Sequence, residues 1–353
     1  MRIAIDAMGG DNAPQAIVAG AVLAAAKGYA KPSQLILVGQ TERIAEELDR
    51  HGQASVVCDR EALPDSLPSS DATFALVAAS QTIGMNETPT LALRQKKDSS
   101  LLVATRLVKS KVADALCSAG NTGACVAAAM LSLRSLPGVR RPGIAVTIEG
   151  EKGPFTIIDV GANVVPKAIH LFQYGVMGSC LYRKQFGKDN PTVGLVNIGG
   201  EEGKGNELVK ETQALYRGAS VNFVGNIEGQ EVFLGAADVI VTEGFVGNVI
   251  LKLSEGLATH ILHVVNDELV KAGVQPTVLR EGLARIIRRT DYSEYGGALL
   301  LGVEGIVTIC HGHSGDRAIA SAIRMCGEAI QTAVNQSIVE QLEQLEHTGG
   351  PRA

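Results

Sequence analysis

The sequence has no tryptophan, and aromatic residues fill only 4% of its 353 positions. A core of this size must therefore be built from Ala, Val, Leu and Ile, which agrees with the 46% hydrophobic content. The length fits one large α/β domain or two ordinary ones. The six cysteines, Cys58, Cys117, Cys125, Cys180, Cys310 and Cys326, form no CxxC pair and stand at no ligand spacing from a histidine. That argues against a structural zinc and reads as reduced, mostly buried thiols of a cytoplasmic protein. No basic stripe interleaved with aromatics is visible, and the net charge of −5 argues against a protein that wraps nucleic acid. No charged segment followed by a long apolar one opens the chain, so secretion is not expected. The most apolar helix candidate, Ala16–Ala26, is too short and too rich in Ala and Gly to span a bilayer. The dinucleotide pattern G-x-G-x-x-G, the P-loop and the G-x-S-x-G nucleophile elbow are all missing.

Glycine, by contrast, is abundant, with 40 residues, and much of it collects in six turns. These are Asp6-Ala-Met-Gly-Gly-Asp11, Ser118-Ala-Gly-Asn-Thr-Gly123, Asp159-Val-Gly-Ala-Asn163, Asn197-Ile-Gly-Gly200, Glu243-Gly-Phe-Val-Gly-Asn248 and His311-Gly-His-Ser-Gly315. Each follows an apolar run that reads as a strand, and five lead directly into a helical pattern. In open α/β sheets ligands bind outside the carboxyl ends of the strands. Glycine there lets backbone N–H groups approach an anion, and a following helix start adds positive potential. The six turns together imply a shared cleft lined with amides, small polar side chains and a few carboxylates. Such a cleft suits phosphate-like and carbonyl-like groups.

Strand-like runs at Arg2–Asp6, Gln34–Val38, Ala54–Cys58, Ala113–Cys117, Ile144–Glu149, Phe155–Val160, Thr192–Ile198, Val239–Thr242 and Ile306–Cys310 alternate with helical patterns. Several are apolar without alternation, as expected of strands covered on both faces. The fold class is α/β, a doubly wound, three-layer, mostly parallel sheet. Residues 1–335 read as a single domain and 336–353 as a polar C-terminal tail, with a fraying helix after Ile338 and a disordered end. One stretch breaks the rhythm: two helical patterns run consecutively from Gly247 to Arg289, separated near Ala272-Gly-Val-Gln-Pro276. This inserted hairpin, 254–289, either projects to pair with a second subunit or packs on its own domain.

The candidate site residues follow from the turns. Gly9, Gly10, Ser118, Gly120, Thr122, Gly123, Asn197, Gly199, Asn206, Asn248, His311 and Ser314 offer donors for phosphate or substrate. Asp6, Asp11, Asn121, Asp159, Asn163 and Lys204 are the catalytic candidates. The three aspartates cannot all face a phosphate unpaired, so they orient Lys or Asn partners or accept a phosphate proton. Lys204 in its glycine-rich loop either reaches a phosphate or is simply solvated. Lys96 and Lys97, beside Arg94, suit an acidic partner or a charged surface turn. His311 and His313 form an H-x-H pair, but nothing in the sequence places a third ligand, and no metal or cofactor is expected. No thiol has an evident activating base.

Ile3-Ala-Ile-Asp-Ala-Met-Gly-Gly-Asp11, Ser118-Ala-Gly-Asn-Thr-Gly-Ala124, Asp159-Val-Gly-Ala-Asn163, Asn197-Ile-Gly-Gly-Glu-Glu-Gly-Lys-Gly-Asn206, Gly244-Phe-Val-Gly-Asn-Val249 and Asp291-Tyr-Ser-Glu-Tyr-Gly-Gly-Ala298 resemble the signatures of the PlsX family, the bacterial phosphate acyltransferases. The motifs come in the family's order from residue 3 to about 330. Small departures stand at Gly200 and Glu243. The resemblance implies a fold similar to phosphotransacetylases and isocitrate/isopropylmalate dehydrogenases. It also implies conversion of long-chain acyl-acyl carrier protein and inorganic phosphate to acyl phosphate and free carrier protein, feeding phosphatidic acid and phospholipid synthesis. A cytoplasmic homodimer, peripherally membrane-associated, is implied as well, with transient contact to the membrane and to the membrane-bound glycerol-3-phosphate acyltransferase PlsY. Arg285, Arg288 and Arg289 of the hairpin, like Lys96 and Lys97, would then meet either acidic carrier protein or anionic lipid. Two rivals remain: a dehydrogenase of the related fold, for which neither a ribose-binding acid nor an Asp cluster is evident, and a membrane-associated scaffold.

Overall fold

The computed structural model describes residues 1–275, 278, 280–283, 286, 296–348 and 351. The chain divides into two compact units, the first built from Met1–Pro142 and Tyr295–Gln344, the second chiefly from Gly143–Glu294. Both fall within the stretch read from sequence as one domain.

Unit 1 opens with β1 (Ile3–Asp6), α1 (Gln15–Ala26), β2 (Leu35–Gly39), α2 (Thr41–Arg50), β3 (Ala54–Val57), β4 (Thr73–Ala78), α3 (Pro89–Gln95), α4 (Ser100–Lys109), β5 (Ala115–Ser118) and α5 (Thr122–Leu133). Unit 2 supplies β6 (Gly143–Gly150), β7 (Gly153–Ile158), α6 (Ala168–Phe186), β8 (Val193–Asn197), α7 (Glu207–Arg217), β9 (Phe223–Glu228), β10 (Val239–Val241) and α8 (Gly244–Lys271). The chain then returns to unit 1 with β11 (Ala298–Leu301), β12 (Ile306–Ile309), α9 (Asp316–Gln331) and α10 (Val334–His347).

The strand order in unit 1 is β3-β4-β2-β1-β5-β12-β11. All pairs are parallel except β11 with β12. From β1 the chain builds outward to β2 on one side, and β5 later docks on the other. The order therefore reverses between β1 and β5, the place where a doubly wound sheet leaves a crevice at its carboxyl ends. Every residue of β1, β2 and β5 is buried, whichever way it points. Both faces are therefore covered: α1 packs against α2 and α9, while α4 and α3 pack against α5. Unit 2 has the order β6-β7-β10-β8-β9, parallel except for the β6–β7 hairpin.

The doubly wound expectation holds, with three strands that the sequence reading passed over. β4 follows a Pro/Ser-rich stretch, β9 is a half-exposed edge, and β11 comes directly after two glycines. The last helical stretch of the chain is two helices, α9 and α10, broken where Ala333 takes φ +52°. Beyond Ile338 the chain does not fray at once. It stays helical to His347 with Ile338 and Leu342 buried, while the last residues of the tail lie outside the described set. The first hairpin helix is present as α8, and the chain turns at Ala272–Gly273, with Gly273 at φ +76°. Most of the second helix, including Arg285, Arg288 and Arg289, lies outside the described residues, as do positions 291–295 of the Tyr/Gly motif.

At Gly20 the crossing of α1 and α9 leaves no space: a Cβ there would stand 2.5 Å from Cβ of Ile319. Gly256 on α8 meets nothing within 4 Å. Replacing glycine by alanine inside an exposed helix stabilises by roughly 0.5–1 kcal/mol, whereas overpacking destabilises by about 1–3 kcal/mol. The two substitutions should therefore act with opposite signs in urea unfolding, Gly20→Ala lowering the midpoint and Gly256→Ala raising it. Equal signs would contradict the packing described.

Candidate active site

Three of the six glycine turns meet in unit 1, because β1, β5 and β12 are neighbours whose carboxyl ends lie level. The Asp11 N–H donates to the carbonyl of Gly312 at 2.8 Å, tying the first turn to the last. Gly10, at φ +106°, has no room for a side chain, since a Cβ would lie 3.0 Å from the Gly312 oxygen and 3.1 Å from that of Ala119. The Ser118 hydroxyl donates to Oδ2 of Asp6 at 2.7 Å and accepts the Gly120 N–H at 3.1 Å. Asp6 and Ser118 are both buried. They hold the first two turns together and present no free surface, unlike the exposed Asp11.

Burial pushes the Asp6 carboxyl above its ordinary value of 3.8, against the lowering effect of the Ser100 and Ser118 hydroxyls and the Met8 and Gly9 amides. Its Oδ1 closes no hydrogen bond, so the deprotonated charge is only half accommodated.

Asn121 caps α5, its Oδ1 accepting the Ala124 N–H at 3.0 Å. Its amide nitrogen donates to the carbonyls of Met85 at 2.9 Å and Glu87 at 3.0 Å. The sequence reading gave this side chain to the substrate; the structure spends it on the segment 82–88. Lys96 acts on the same segment. It pairs with Glu87 and donates to the Thr82 carbonyl at 2.7 Å, while Glu87 Oε1 also accepts the Gly84 N–H at 2.6 Å. Lys96 thus fastens a loop, whereas Lys97 is exposed. Pro89, the first residue of α3, covers Gly123 from above: a Cβ on Gly123 would meet its ring at 2.7 Å. Of the α5 start, the N–H groups of Thr122 and Gly123 remain on exposed residues without an intrahelical acceptor. The His311 and His313 rings meet at a tilt of 47° with centroids 3.9 Å apart, and Ser314 is buried, its N–H donating to the His311 carbonyl.

The other three turns gather in unit 2, at the carboxyl ends of β7, β10 and β8. Asp159 is buried at the first. Its Oδ1 accepts the N–H groups of Ile144, Gly161 and Ala162, and its Oδ2 that of Asn163 at 2.7 Å. Burial pushes this carboxyl up, while the four amides pull it down. The amide bonds favour the carboxylate, but burial outweighs them. Asn163 donates to the buried Tyr174 hydroxyl at 2.8 Å and accepts the Gly244 N–H on its carbonyl at 2.8 Å. Glu243 caps α8 through the N–H groups of Phe245 and Val246. Asn248 lies on the same helix facing Gly161.

Asn197 donates to the carbonyls of Gly199 and Lys204, closing the 199–204 loop, and Asn206 caps α7 at the Val209 N–H. Lys204 is exposed, its stem beside Gly199. Among the described residues no group of three His, Cys, Asp or Glu is placed to hold a metal ion.

The chain matches the family described as "Fatty acid synthesis protein" over residues 1–337. It belongs to that family. A "Phosphate acyltransferase" of Geotalea uraniireducens (strain Rf4) is 42% identical over 347 residues, which cover 98% of this chain and 95% of the relative. Another of the same name, from Desulforamulus reducens, is 43% identical over 347 residues, or 97% and 98% of the two chains. These are PlsX-family proteins, as the motifs suggested. Among solved structures, a phosphotransacetylase from Streptococcus pyogenes superposes with a TM-score of 0.60 at 15% identity, covering 94% of each chain. A 4-hydroxythreonine-4-phosphate dehydrogenase from Klebsiella pneumoniae reaches 0.54 at 15%, covering 94% of this chain and 99% of its own. At that identity the likeness is one of fold. The residues the sequence reading did not single out for the site are the partners: Met85, Glu87, Tyr174 and Glu243 in its capping role. Only Glu243 carried a signal, an acid immediately before the helix start.

The raised Asp6 carboxyl makes a pH prediction. A carboxyl raised on folding contributes stability below its unfolded value, and that contribution is lost as pH rises through the folded value. Asp6→Asn removes the titration while keeping an acceptor for Ser118. The stability of Asp6→Asn relative to the parent should therefore grow as pH rises above about 4, read by urea unfolding at several pH values. A difference independent of pH would mean that Asp6 is ordinarily ionised.

Proposed function

We propose that this protein is a phosphate acyltransferase: it converts a long-chain acyl-acyl carrier protein and inorganic phosphate into acyl phosphate and free carrier protein, feeding phospholipid synthesis. Membership of a family whose relatives match nearly end to end under that name is what carries the reading. The geometry suits it. Thr122 and Gly123 offer two exposed helix-start amides to an anion, and the turns around them are held open by side chains that bond to protein rather than to ligand.

In the reaction a phosphate oxygen attacks the thioester carbon. The C–O bond forms, the tetrahedral oxyanion collapses, the C–S bond breaks, and the thiolate leaves to take up a proton. A thiolate leaves readily, so no strong general acid is needed, and an enzyme nucleophile is not needed either. The nearest thiols are poorly suited to the latter role: burial pushes Cys125 up to about 12, and Cys117, against Cys310 at 3.9 Å, is held well above its ordinary value. We assign phosphate to the Thr122–Gly123 amides, with Asp6, Ser118 and Asn121 as the residues that position them. Asp159 and Asn163 play the equivalent positioning part for the turns of unit 2, and Lys204 is a mobile-stemmed cation of its loop.

The assay is phosphate-dependent release of free thiol from acyl-acyl carrier protein. Wild type should release it, and Cys125→Ala should keep kcat within about threefold, since the mechanism makes no acyl-enzyme. Thiol release independent of phosphate, or an acyl group trapped on Cys125 in a competent intermediate, would refute the direct attack.

A homodimer is proposed on a separate observation. Leu253, Leu257, Ile261 and Val264 stand exposed along α8, of which only Gly244 and Gly247 are buried. An apolar stripe of this length along one helix is best buried by a second copy. The tip from the last turn of α8 onward, with Val270 and Val278 exposed, is the part proposed to reach a membrane surface and through it PlsY. Among the described residues no helix is long and apolar enough to cross a membrane, so that contact would be peripheral, from the cytoplasmic side. Ile261→Asp should shift the protein toward monomer in sedimentation velocity; a wild type that is already monomeric at working concentration excludes the dimer.

A further inference from the structure

Charge is spread unevenly along unit 1. Between Pro89 and Pro142 stand nine Lys or Arg and only two acids, Asp98 and Asp114, in a chain whose net charge is −5. Both acids are already engaged: Asp98 pairs with Arg60, and Asp114 accepts the Arg2 N–H and lies 3.7 Å from the terminal amine. Four of the cations follow one another over two adjoining helices. Arg94 stands on the exposed side of α3, whose Ala92 and Leu93 are buried. Lys97 comes three residues later, and its carbonyl accepts Arg106 Nη2 at 2.8 Å. Lys109, at i+3 from Arg106, is the other exposed residue of α4. Among the described residues none of the four has an acidic partner, whereas Lys31, Arg50 and Lys188 are paired with Asp71, with Glu46 and Glu47, and with Asp238. Like charges at i and i+3 repel, a cost that a partner of opposite sign removes. The row also starts at the proposed anion site. Pro89, at the head of α3, covers Gly123, and Arg94 is five residues further on, about 7.5 Å along the helix.

We infer that Arg94, Lys97, Arg106 and Lys109 form the docking face for the acidic acyl carrier protein. This rests on the acyltransferase reading above. The thioester has to reach the amides at the start of α5, so the protein that carries it must settle on the surface around them. The unpaired cations of α3 and α4 are the complementary charge there, and Leu91, 52% exposed and one turn before Arg94, adds an apolar contact. The row runs from α3 to the last residue of α4, a span that suits a protein surface better than a single phosphate. Lys96 takes no part, being committed to Glu87. Exposed charges of this kind steer encounter and are screened by salt, while the chemical step after docking is left as it was.

The test follows phosphate-dependent thiol release from long-chain acyl-acyl carrier protein by the full chain, as wild type, Arg94→Glu, Lys97→Glu and the conservative Arg94→Lys. All four should unfold at similar temperature, because the substituted side chains are exposed. Each Glu variant should raise KM for the acyl-carrier protein about fivefold or more, with kcat within about twofold and KM for phosphate unchanged, while Arg94→Lys stays near wild type. Added salt should raise the wild-type KM for the carrier substrate and raise that of the Glu variants less. An unchanged KM for the carrier substrate in both Glu variants overturns the docking face. A rise confined to the phosphate KM assigns the cations to the small anion and overturns it too. If the Glu variants lose binding to phosphatidylglycerol vesicles while the carrier KM holds, the row is a lipid surface and the docking face is wrong. Failure of wild type to release thiol takes down the acyltransferase reading itself, a result distinguishable from an unchanged KM.

Discussion

Asp159 shows the constraint on which both units depend. A strand that ends in a tight glycine turn leaves several amides pointing inward, and a buried amide without an acceptor destabilises by about 1–3 kcal/mol. One carboxylate at the end of β7 accepts three of them, from Gly161, Ala162 and Asn163, with a fourth from Ile144 on β6, and so fixes the path from Asp159 to Asn163. Gly247 completes the arrangement from the other side. α8 approaches so closely that a Cβ there would fall on the Asp159 carbonyl. A turn tied in this way keeps its shape without a bound ligand, which is the preorganisation that electrostatic stabilisation of an oxyanion requires.

Unit 1 meets the same demand with different side chains. Asp6 and Ser118 tie the ends of β1 and β5 to each other, and Asn121 ties α5 to the segment before α3. In both units the polar residues most readily imagined on substrate are bonded to protein. The amides they leave exposed are the ones with chemical potential. Substituting Asn121 or Asp159 would then act through the backbone of the turns that these side chains hold.

This division also explains what could be read from the sequence. The turns after β1, β5, β7, β8, β10 and β12 were legible because glycine and small polar residues interrupt apolar runs, a local pattern. The doubly wound fold followed from the alternation of those runs with helical stretches. The role of Asn121 was not legible, since its acceptors stand more than thirty residues earlier in a segment with no distinctive composition. Lys96 reads from the sequence as a contact for an acidic partner or a charge on a surface turn, because its ion pair with Glu87 depends on a loop path that no periodicity records. β4 and β9 were missed for a related reason: one follows a Pro/Ser-rich stretch, and the other, lying at a sheet edge, lacks the apolar run of a buried strand.

The return of the chain to unit 1 has a consequence for synthesis. β12, which completes the group of turns around Gly10, and α9, which covers α1 at Gly20, are made only after the whole of unit 2. While the ribosome works through residues 143–294, β5 has an open edge on the side that β12 will occupy, and Gly20 lies at the centre of an uncovered helix face. Unit 2 is contiguous over that stretch and can close as soon as it emerges. The nascent chain therefore carries an open β5 edge until β12 is made, the kind of unpaired edge on which chains aggregate.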